Sequence, residues 1–502
     1  MRIGLDFDNT LICYDPVFSA LARARGWAAG RGSKRLIKER LLKEDGNDLR
    51  WQALQAEAYG RTIMSAKPFP GAVEFLRRAR EEGHELFIVS HKSEASHFDP
   101  SVRLRLWAKR WIAKNLRVAP SRCHFESTRA AKVKRIAELK LDLFVDDLEE
   151  VLAHPAFPAT TAALRFDPAA PPAAARAARA RVRSWRELSQ RLCALDALSP
   201  EALRAVLALG SLPVSAVPVA RSGNNRIFKL RLADGRAVLL KNYLLDGRDR
   251  RPRAASEFRA LELMREEGLR RAPLPLYLDP AGRFALHSFL EGAPPARPER
   301  RHVLQAAAFI SALAALKKPK DYPEAADSRR RLADYPAHLE RRFKRAREGA
   351  CELGHAGALA FLDERLKPCA DRLTADFERS ARAEGLRLDE PLADSERILS
   401  PSDFGFHNAL AGHRGRLSFV DFEYFGQDDP AKLAADFVHH AAQRAPFELR
   451  RLFVLELAKS MPPGFARRFE LVQDLIGLEW ILIVLNVLAP EARARRRFSD
   501  PK

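Results

Sequence analysis

The chain has 502 residues, of which 47% are hydrophobic and 30% are charged. This length allows two to four domains with well-buried cores, and the composition is that of a globular, soluble protein. The five cysteines are scattered without paired spacing. They argue against a disulfide framework or a zinc site and predict reduced thiols in a cytoplasmic protein.

The net charge of +21 admits two interpretations. It fits a nucleic-acid or other anionic partner, but the excess arginine is spread with alanine along predicted helices, as a GC-rich coding bias also produces. No pattern typical of a nucleic-acid-binding module is present, so we do not favour such a partner. No secretory signal pattern precedes the first predicted strand. The most apolar run, residues 475–488, is interrupted by Glu479 and Asn486 and is too short to span a bilayer.

Residues 1–168 alternate between predicted strands and helices. Three apolar strands end in polar side chains: Ile3–Leu5 before Asp6 and Asp8, Glu85–Val89 before Ser90, and Leu143–Val145 before Asp146 and Asp147. Strand–helix alternation predicts a doubly wound parallel α/β sheet, in which ligands bind beyond the carboxyl ends of the strands. The pattern therefore predicts a site for phosphate chemistry at that edge.

The order of these residues resembles the haloacid dehalogenase (HAD) superfamily over the whole of this domain. The motifs that carry the resemblance are Asp6/Asp8/Thr10, Ser90, Lys132 and Asp146/Asp147. The resemblance implies that Asp6 is a nucleophile that forms an aspartyl-phosphate, and that Asp8 protonates the leaving oxygen and then activates water.

The same resemblance implies which residues bind the phosphoryl group and the metal. Thr10, Ser90 and Lys132 would bind the phosphoryl oxygens, with Lys134 as the alternative to Lys132. Mg²⁺ would be held by Asp6, Asp8 and either Asp146 or Asp147.

A helix-like, polar insertion at residues 15–67 follows the first motif. By the HAD resemblance it is a small helical cap that selects the substrate. We interpret its basic residues as a solvated face, with contact to an anionic substrate as the alternative; they are Lys34, Arg35, Lys38 and Arg40.

Residues 169–186 are rich in alanine, arginine and proline, and we interpret them as a linker whose latter part is a helical spacer. A second domain follows at residues 187–502, with a predicted N-lobe at 187–292 and a predicted C-lobe at 293–502. In the N-lobe, a turn containing Gly223 and Asn224 is suited to lie over nucleotide phosphates, although an ordinary hairpin turn explains it equally well. Lys241 ends an apolar strand and is the expected partner of ATP phosphates.

The segment 399–430 carries the chemistry of the second domain. Asp403 ends an apolar approach, Asn408 follows five residues later, and Asp421 directly follows the strand-like run Leu417–Val420. Phosphoryl transfer from ATP needs a carboxylate beside the acceptor hydroxyl, and an amide oxygen with a second carboxylate to hold Mg²⁺ on the phosphates.

This segment resembles the catalytic core of the aminoglycoside phosphotransferase/choline kinase family, which has a two-lobed, protein-kinase-like (α+β) fold. The resemblance implies that Asp403 is the catalytic residue and that Asn408 and Asp421 are metal ligands. It also implies that Lys241 pairs with Glu257, with Glu262 as the alternative. Pro401-Ser402 stand where the family usually has His-Gly, and we interpret His407 as a loop-packing or substrate-side residue.

The sequence thus predicts a bifunctional enzyme. An Mg²⁺-dependent phosphatase of small phosphate esters is joined to an ATP- and Mg²⁺-dependent kinase of a small hydroxylated metabolite, with a sugar-like compound as our first expectation. The alternatives are a nucleic-acid end-processing phosphatase/kinase and a kinase with a non-catalytic HAD-like docking domain. Neither substrate, nor the oligomeric state, follows from the sequence.

Overall fold

A computed structural model describes residues 1–27, 32–45, 47–170, 180–219, 225–245 and 251–485. The chain forms two compact units, one of residues 1–217 with 230–237 and the other of residues 218–229 with 238–502. The first unit therefore continues past the predicted boundaries at 168 and 187.

A six-stranded parallel sheet is the centre of the first unit. Its elements in chain order are β1 (Arg2–Leu5), β2 (Ile12–Cys13), α1 (Asp15–Ala24), α2 (Lys34–Asp45), α3 (Leu49–Tyr59), β3 (Lys67–Pro68), α4 (Ala72–Glu81), β4 (Glu85–His91), α5 (Leu104–Asn115), β5 (Cys123–Glu126), α6 (Arg129–Glu138), β6 (Leu143–Asp146), α7 (Glu149–Leu152), β7 (Ala162–Phe166), β8 (Arg181–Val182), α8 (Trp185–Asp196) and α9 (Pro200–Ala208). The strand order is β5-β4-β1-β6-β7-β8, and β2 and β3 form a separate antiparallel pair. This architecture confirms the predicted parallel α/β class.

Register brings the polar strand ends to one edge of the sheet. Leu5 of β1 is paired with Ile88 of β4 on one side and with Val145 of β6 on the other. The residues that follow these positions therefore lie side by side. Strands buried on both faces need near-continuous apolar sequence, and Ile3, Leu5 and Val145 are fully buried.

The segment after residue 180 is built into the first unit. Most of the predicted helical spacer, residues 171–179, lies outside the described residues. The described residues that follow form β8, which pairs with β7, and the start of α8. Trp185 is fully buried against Phe75 and Phe166, and its indole N–H donates a 2.8 Å hydrogen bond to the carbonyl of Thr10. This part of the predicted linker therefore contacts the last residue of the first motif.

The second sheet and the helices after it carry the kinase-like elements. In chain order they are β9 (Pro213–Pro218), β10 (Asn225–Leu232), β11 (Ala237–Tyr243), α10 (Arg253–Glu266), β12 (Pro275–Leu278), β13 (Phe284–Ser288), α11 (Arg300–Ala314), α12 (Asp334–Glu352), α13 (Ala356–Ala360), α14 (Lys367–Ala383), β14 (Ile398–Ser400), β15 (Ala409–Ala411), β16 (Leu417–Phe419), β17 (Gly426–Asp428), α15 (Pro430–His439), α16 (Phe447–Leu457) and α17 (Phe465–Leu485). The sheet order is β12-β13-β11-β10-β9. A five-stranded sheet followed by a mostly helical region agrees with the predicted kinase-like fold.

Two short antiparallel pairs shape the catalytic segment. β15 pairs with β16, and β14 pairs with β17. A cluster of buried rings packs beneath them; it includes Phe309, Phe404, Phe419, Phe437 and Phe453. Within the described ranges, no helix combines the length and the apolar character needed to cross a membrane.

Candidate active sites

The centre of the first site is a buried lysine between two carboxylates. Lys132 Nζ donates to Asp6 Oδ1 at 2.5 Å and to Asp146 Oδ2 at 2.6 Å, and Ser90 Oγ donates to Asp6 Oδ1 at 3.0 Å. Lys132 is only 1% exposed, whereas the side chain of Lys134 is 80% exposed. Of the two predicted lysines, Lys132 is the one that reaches this centre.

The carboxylates around Lys132 form a donor set suited to a hard cation. Oxygens of Asp6, Asp146 and Asp147 lie within 4.8 Å of one another, and Thr10 Oγ1 donates to Asp147 at 3.3 Å. Burial and then repulsion by Asp6 raise the pKa of Asp146 to about 6, and burial with repulsion by Asp6 and Asp146 raises the pKa of Asp147 to about 8. Crowded oxygen donors with raised pKa values are stabilised by a divalent cation, so these residues fit Mg²⁺.

Asp8 lies beside this group and pairs with a residue that the sequence analysis missed. Lys92 Nζ donates to both oxygens of Asp8, at 2.7 and 3.0 Å, and Tyr14 Oη donates to Asp8 Oδ1 at 2.7 Å. Burial raises the pKa of Asp8, but attraction and hydrogen bonding by Lys92 outweigh burial, and the net pKa lies below the ordinary value. The signal for Lys92 in the sequence was its position two residues after Ser90.

Lys34 of the cap was predicted to belong to a solvated face, but in the structure it lies near three aromatic rings. Its ammonium lies 5.3 Å from the ring centroid of Tyr59 and 5.7 Å from those of Tyr14 and Phe18. Although burial lowers its pKa, Tyr59 and the carboxylates of Asp8 and Asp147 raise the net value. Lys34 is therefore a cation directed toward the first site. Among the other basic cap residues, Arg35 and Arg40 keep substantial solvent exposure, and Lys38 lies over a single ring.

The second site also has a buried lysine shared by carboxylates. Lys241 Nζ donates to Glu257 Oε2 at 2.6 Å and to Asp421 Oδ1 at 2.5 Å, and lies 3.8 Å from Glu423. Glu257, not Glu262, is thus the residue that contacts Lys241. Burial disfavours the charge of Lys241, but attraction by Asp421 and Glu257 raises its pKa well above the ordinary value.

Asn408 and Asp421 are brought together by the β15–β16 hairpin. The backbone N–H of Val420 donates to the Asn408 carbonyl at 2.9 Å, so the two predicted ligands lie at the same end of the hairpin. Asn408 Nδ2 donates to the backbone carbonyl of Asp403 at 3.1 Å, which leaves its Oδ1 as an acceptor. Burial and repulsion by neighbouring carboxylates raise the pKa of Asp421 to about 7 despite the attraction of Lys241. This donor set also fits Mg²⁺.

Asp403 is held by two histidines. His407 Nε2 lies 2.9 Å and His440 Nε2 lies 3.2 Å from Asp403 Oδ1, and the two imidazoles stack with centroids 4.0 Å apart. Burial raises the pKa of Asp403, but hydrogen bonding by both histidines lowers it more, and the net pKa falls below the usual range. His407 was predicted to be a loop-packing or substrate-side residue, whereas no pattern in the sequence pointed to His440.

A backbone hydrogen bond decides how His440 meets Asp403. The N–H of Ala442 donates to His440 Nδ1 at 3.0 Å, so the neutral imidazole carries its proton on Nε2. That nitrogen then donates to Asp403 and has no lone pair for a metal. Asp403, His407 and His440 lie close enough together to form a metal site. The His440 tautomer instead favours a hydrogen bond to the Asp403 carboxylate.

Left-handed backbone conformations occur at or next to the predicted catalytic and metal-binding positions. Asn9 follows Asp8 with φ 59°, Ser402 precedes Asp403 with φ 65°, and Asp421 itself has φ 69°. Non-glycine residues in this region cost on the order of 1 kcal/mol or more and are concentrated at functional loops. The predicted phosphate-contacting residues Gly223 and Asn224 lie outside the described residues.

A buried lysine–glutamate pair beside a carboxylate-bearing hairpin is the arrangement of a kinase-like phosphotransferase. A sequence model described as the phosphotransferase enzyme family (APH) matches residues 215–466, half of the chain. The chain therefore belongs to that family, which confirms the predicted enzyme class for the C-terminal part.

Individual known proteins resemble each part of the chain. A putative nucleotidase from Bacillus cereus is 29% identical over 161 residues, covering 30% of this chain and 79% of that protein, and its likeness to the N-terminal part is consistent with the HAD-like prediction. Among solved structures, choline kinase from Cryptosporidium parvum is 13% identical, covering 56% of this chain and 87% of that one, with a TM-score of 0.40. An ADP-bound aminoglycoside phosphotransferase is 14% identical, covering 57% and 94%, with a TM-score of 0.38.

Proposed function

We propose that this protein is a bifunctional enzyme. Its first unit hydrolyses small phosphate monoesters with Mg²⁺, and its second unit transfers the γ-phosphoryl group of ATP to a hydroxyl of a small, sugar-like metabolite. The observation that carries the proposal is that each unit holds a buried lysine between carboxylates, Lys132 in one and Lys241 in the other, beside a further carboxylate suited to proton transfer.

In the phosphatase, Asp6 acts as the nucleophile. One of its oxygens attacks phosphorus and the ester oxygen leaves, which gives an aspartyl-phosphate that water then hydrolyses. Lys132 and Ser90, which both donate to Asp6 Oδ1, orient that carboxylate. Mg²⁺ held by Asp6 with Asp146 or Asp147 would reduce the repulsion between an anionic nucleophile and an anionic substrate.

Lys92 explains how Asp8 serves as an acid despite its lowered pKa. In the ligand-free arrangement Lys92 keeps Asp8 ionised. A phosphoryl group that pairs with Lys92 draws it away from Asp8, whose pKa then rises with burial. Asp8 is in this way able to protonate the leaving oxygen and later to accept a proton from water.

In the kinase, Asp403 accepts the proton of the acceptor hydroxyl. Two histidines occupy its Oδ1, so Oδ2 is the oxygen left to meet the acceptor. Lys241, positioned by Glu257, binds ATP phosphates, and Asn408 with Asp421 would hold Mg²⁺, which neutralises charge on the transferred group.

Separate inactivation of the two centres tests the proposal. Asp6→Asn and Asp403→Ala variants are assayed against one metabolite library for phosphate release and for ATP-dependent phosphorylation. We expect phosphate release to disappear only in the first variant and phosphorylation only in the second. Loss of both activities in either variant would contradict two independent centres. Single-stranded RNA with 3′-phosphate and 5′-hydroxyl ends serves as the nucleic-acid arm of the library.

A further inference from the structure

One face of α12 carries a cluster of basic residues. His338, Arg341, Arg342 and Arg345 are spaced at i, i+3, i+4 and i+7, which places them on the same side of the helix. Together with Asp327 they line a small pocket in the second unit. The lining is therefore almost entirely basic.

Two of these arginines have no compensating anion. Arg342 donates to Asp327 at 2.8 Å, but among the described residues neither Arg341 nor Arg345 forms a hydrogen bond or an ion pair. Exposed arginines elsewhere in this unit commonly pair with a nearby carboxylate, as Arg347 does with Asp363. The pocket thus keeps two net positive charges.

His338 adds a neutral donor to the cluster. Its Nδ1 accepts a 2.8 Å hydrogen bond from Arg329 Nη1, so the imidazole carries its proton on Nε2. Burial, with repulsion by Arg329 and Arg341, lowers the pKa of His338 to about 3. The residue therefore stays uncharged at neutral pH and offers a hydrogen-bond donor.

Contacts within the protein link residues of the pocket lining to the loop of Asp403 at two points. Asp327 follows Ala326, whose carbonyl accepts a 3.0 Å hydrogen bond from Ser402 Oγ next to Asp403. On the other side, Arg342 Nε lies 3.7 Å from Glu479. The residue after Glu479 is Trp480, whose ring lies 4.0 Å from that of His440, a partner of Asp403. The cationic face and the catalytic carboxylate therefore belong to one supporting structure.

We propose that the acceptor of the kinase is an anionic hydroxylated compound whose carboxylate or phosphate binds to Arg341 and Arg345. The inference rests on the kinase function proposed above. The acceptor oxygen bonds to the γ-phosphorus of ATP while the bond from that phosphorus to the bridging oxygen breaks, ADP leaves, and the hydroxyl proton passes to Asp403. Guanidinium groups suit this role because they bind carboxylate and phosphate through paired hydrogen bonds.

The test compares matched acceptors in an ADP-release assay of the full chain. The panel contains hexoses, hexosamines, hexuronates and hexose phosphates, with the corresponding polyols, aldonates and polyol phosphates. We expect turnover with the anionic acceptors of the panel. Comparing the acceptors that carry a carboxylate with those that carry a phosphate identifies which anion is used. The Arg341→Glu/Arg345→Glu double variant should raise the KM of the active acceptor ~10-fold or more while kcat changes little. Lys344→Glu, an exposed cation on the same helix outside the pocket, is the matched control.

Two results overturn the inference while leaving the kinase assignment intact. One is turnover confined to neutral or cationic acceptors, and the other is an equal change in KM for the double variant and the Lys344 control. If no acceptor supports ADP release above the level of Asp403→Ala, the kinase function itself is contradicted and this inference fails with it.

Discussion

Replacing His440 with phenylalanine tests the environment of the kinase carboxylate. In this variant the phenyl ring still packs against the rings of Trp480 and His407. The imidazole nitrogen that lies 3.2 Å from Asp403 Oδ1 is lost. Hydrogen bonds to charged groups contribute about 1.5–3 kcal/mol. The contact from His440 is long, and His407 also contacts the same oxygen, at 2.9 Å. We therefore use the lower limit of this energy range, which corresponds to a ~10-fold fall in kcat.

The assay is ATP-dependent ADP release with the acceptor identified by the panel described above. The KM for ATP should stay unchanged because Lys241 and Glu257 are untouched. His440→Gln, which keeps a side-chain N–H donor, should recover part of kcat, and His413→Phe, at an exposed position between β15 and β16, should behave like the wild type. A kcat for His440→Phe within ~2-fold of wild type would refute the view that His440 holds Asp403.

Three further predictions concern the proposed phosphatase centre. Lys132→Met should abolish phosphate release and lower the free energy of unfolding by about 3 kcal/mol or more, because it leaves buried carboxylates unpaired, whereas Lys134→Met should change neither activity nor denaturant midpoint. Trp185→Phe leaves the Thr10 carbonyl without its donor, so phosphate release should fall ~10-fold while kinase turnover is unaffected; equal loss of both would contradict a local effect. The raised pKa of Asp147, about 8, means that its proton stabilises the metal-free fold and that this contribution is lost as pH rises toward that value. Mg²⁺ should therefore increase the melting temperature more near pH 8.5 than near pH 5.5, and an equal increase at both would contradict the assignment.

Much of the fold and of the candidate site in the first domain could be predicted from the residues at which the apolar strands end. Asp6, Ser90 and Asp146 each come directly after or at the end of an apolar strand, and parallel register alone places such residues at one edge. Lys132 and Lys134 could not be separated in the sequence because both lie near the start of the same helix. The structure separates them because α6 turns Lys132 toward the sheet and Lys134 toward solvent.

The residues that sequence reasoning missed depend on distant contacts. Lys34 belongs to a helix whose sequence is mostly polar, and it is partly buried because it lies near the rings of Tyr14, Phe18 and Tyr59. His440 lies beyond α15, and no spacing rule connects it to Asp403. The strand β8 has only two residues, too few for a sequence pattern, and it is defined by its parallel pairing with β7.

The hydrogen bond from Trp185 to the Thr10 carbonyl has a practical consequence for dividing this protein. Cutting the chain where its composition changes, near residue 168, would remove β8 and the indole from the N-terminal fragment and expose the faces of Phe75 and Phe166. A recombinant version of the first unit should therefore extend at least through α9. Grafting the kinase onto another partner should likewise leave α8 and α9 behind, because by their contacts they belong to the first unit and are not a tether.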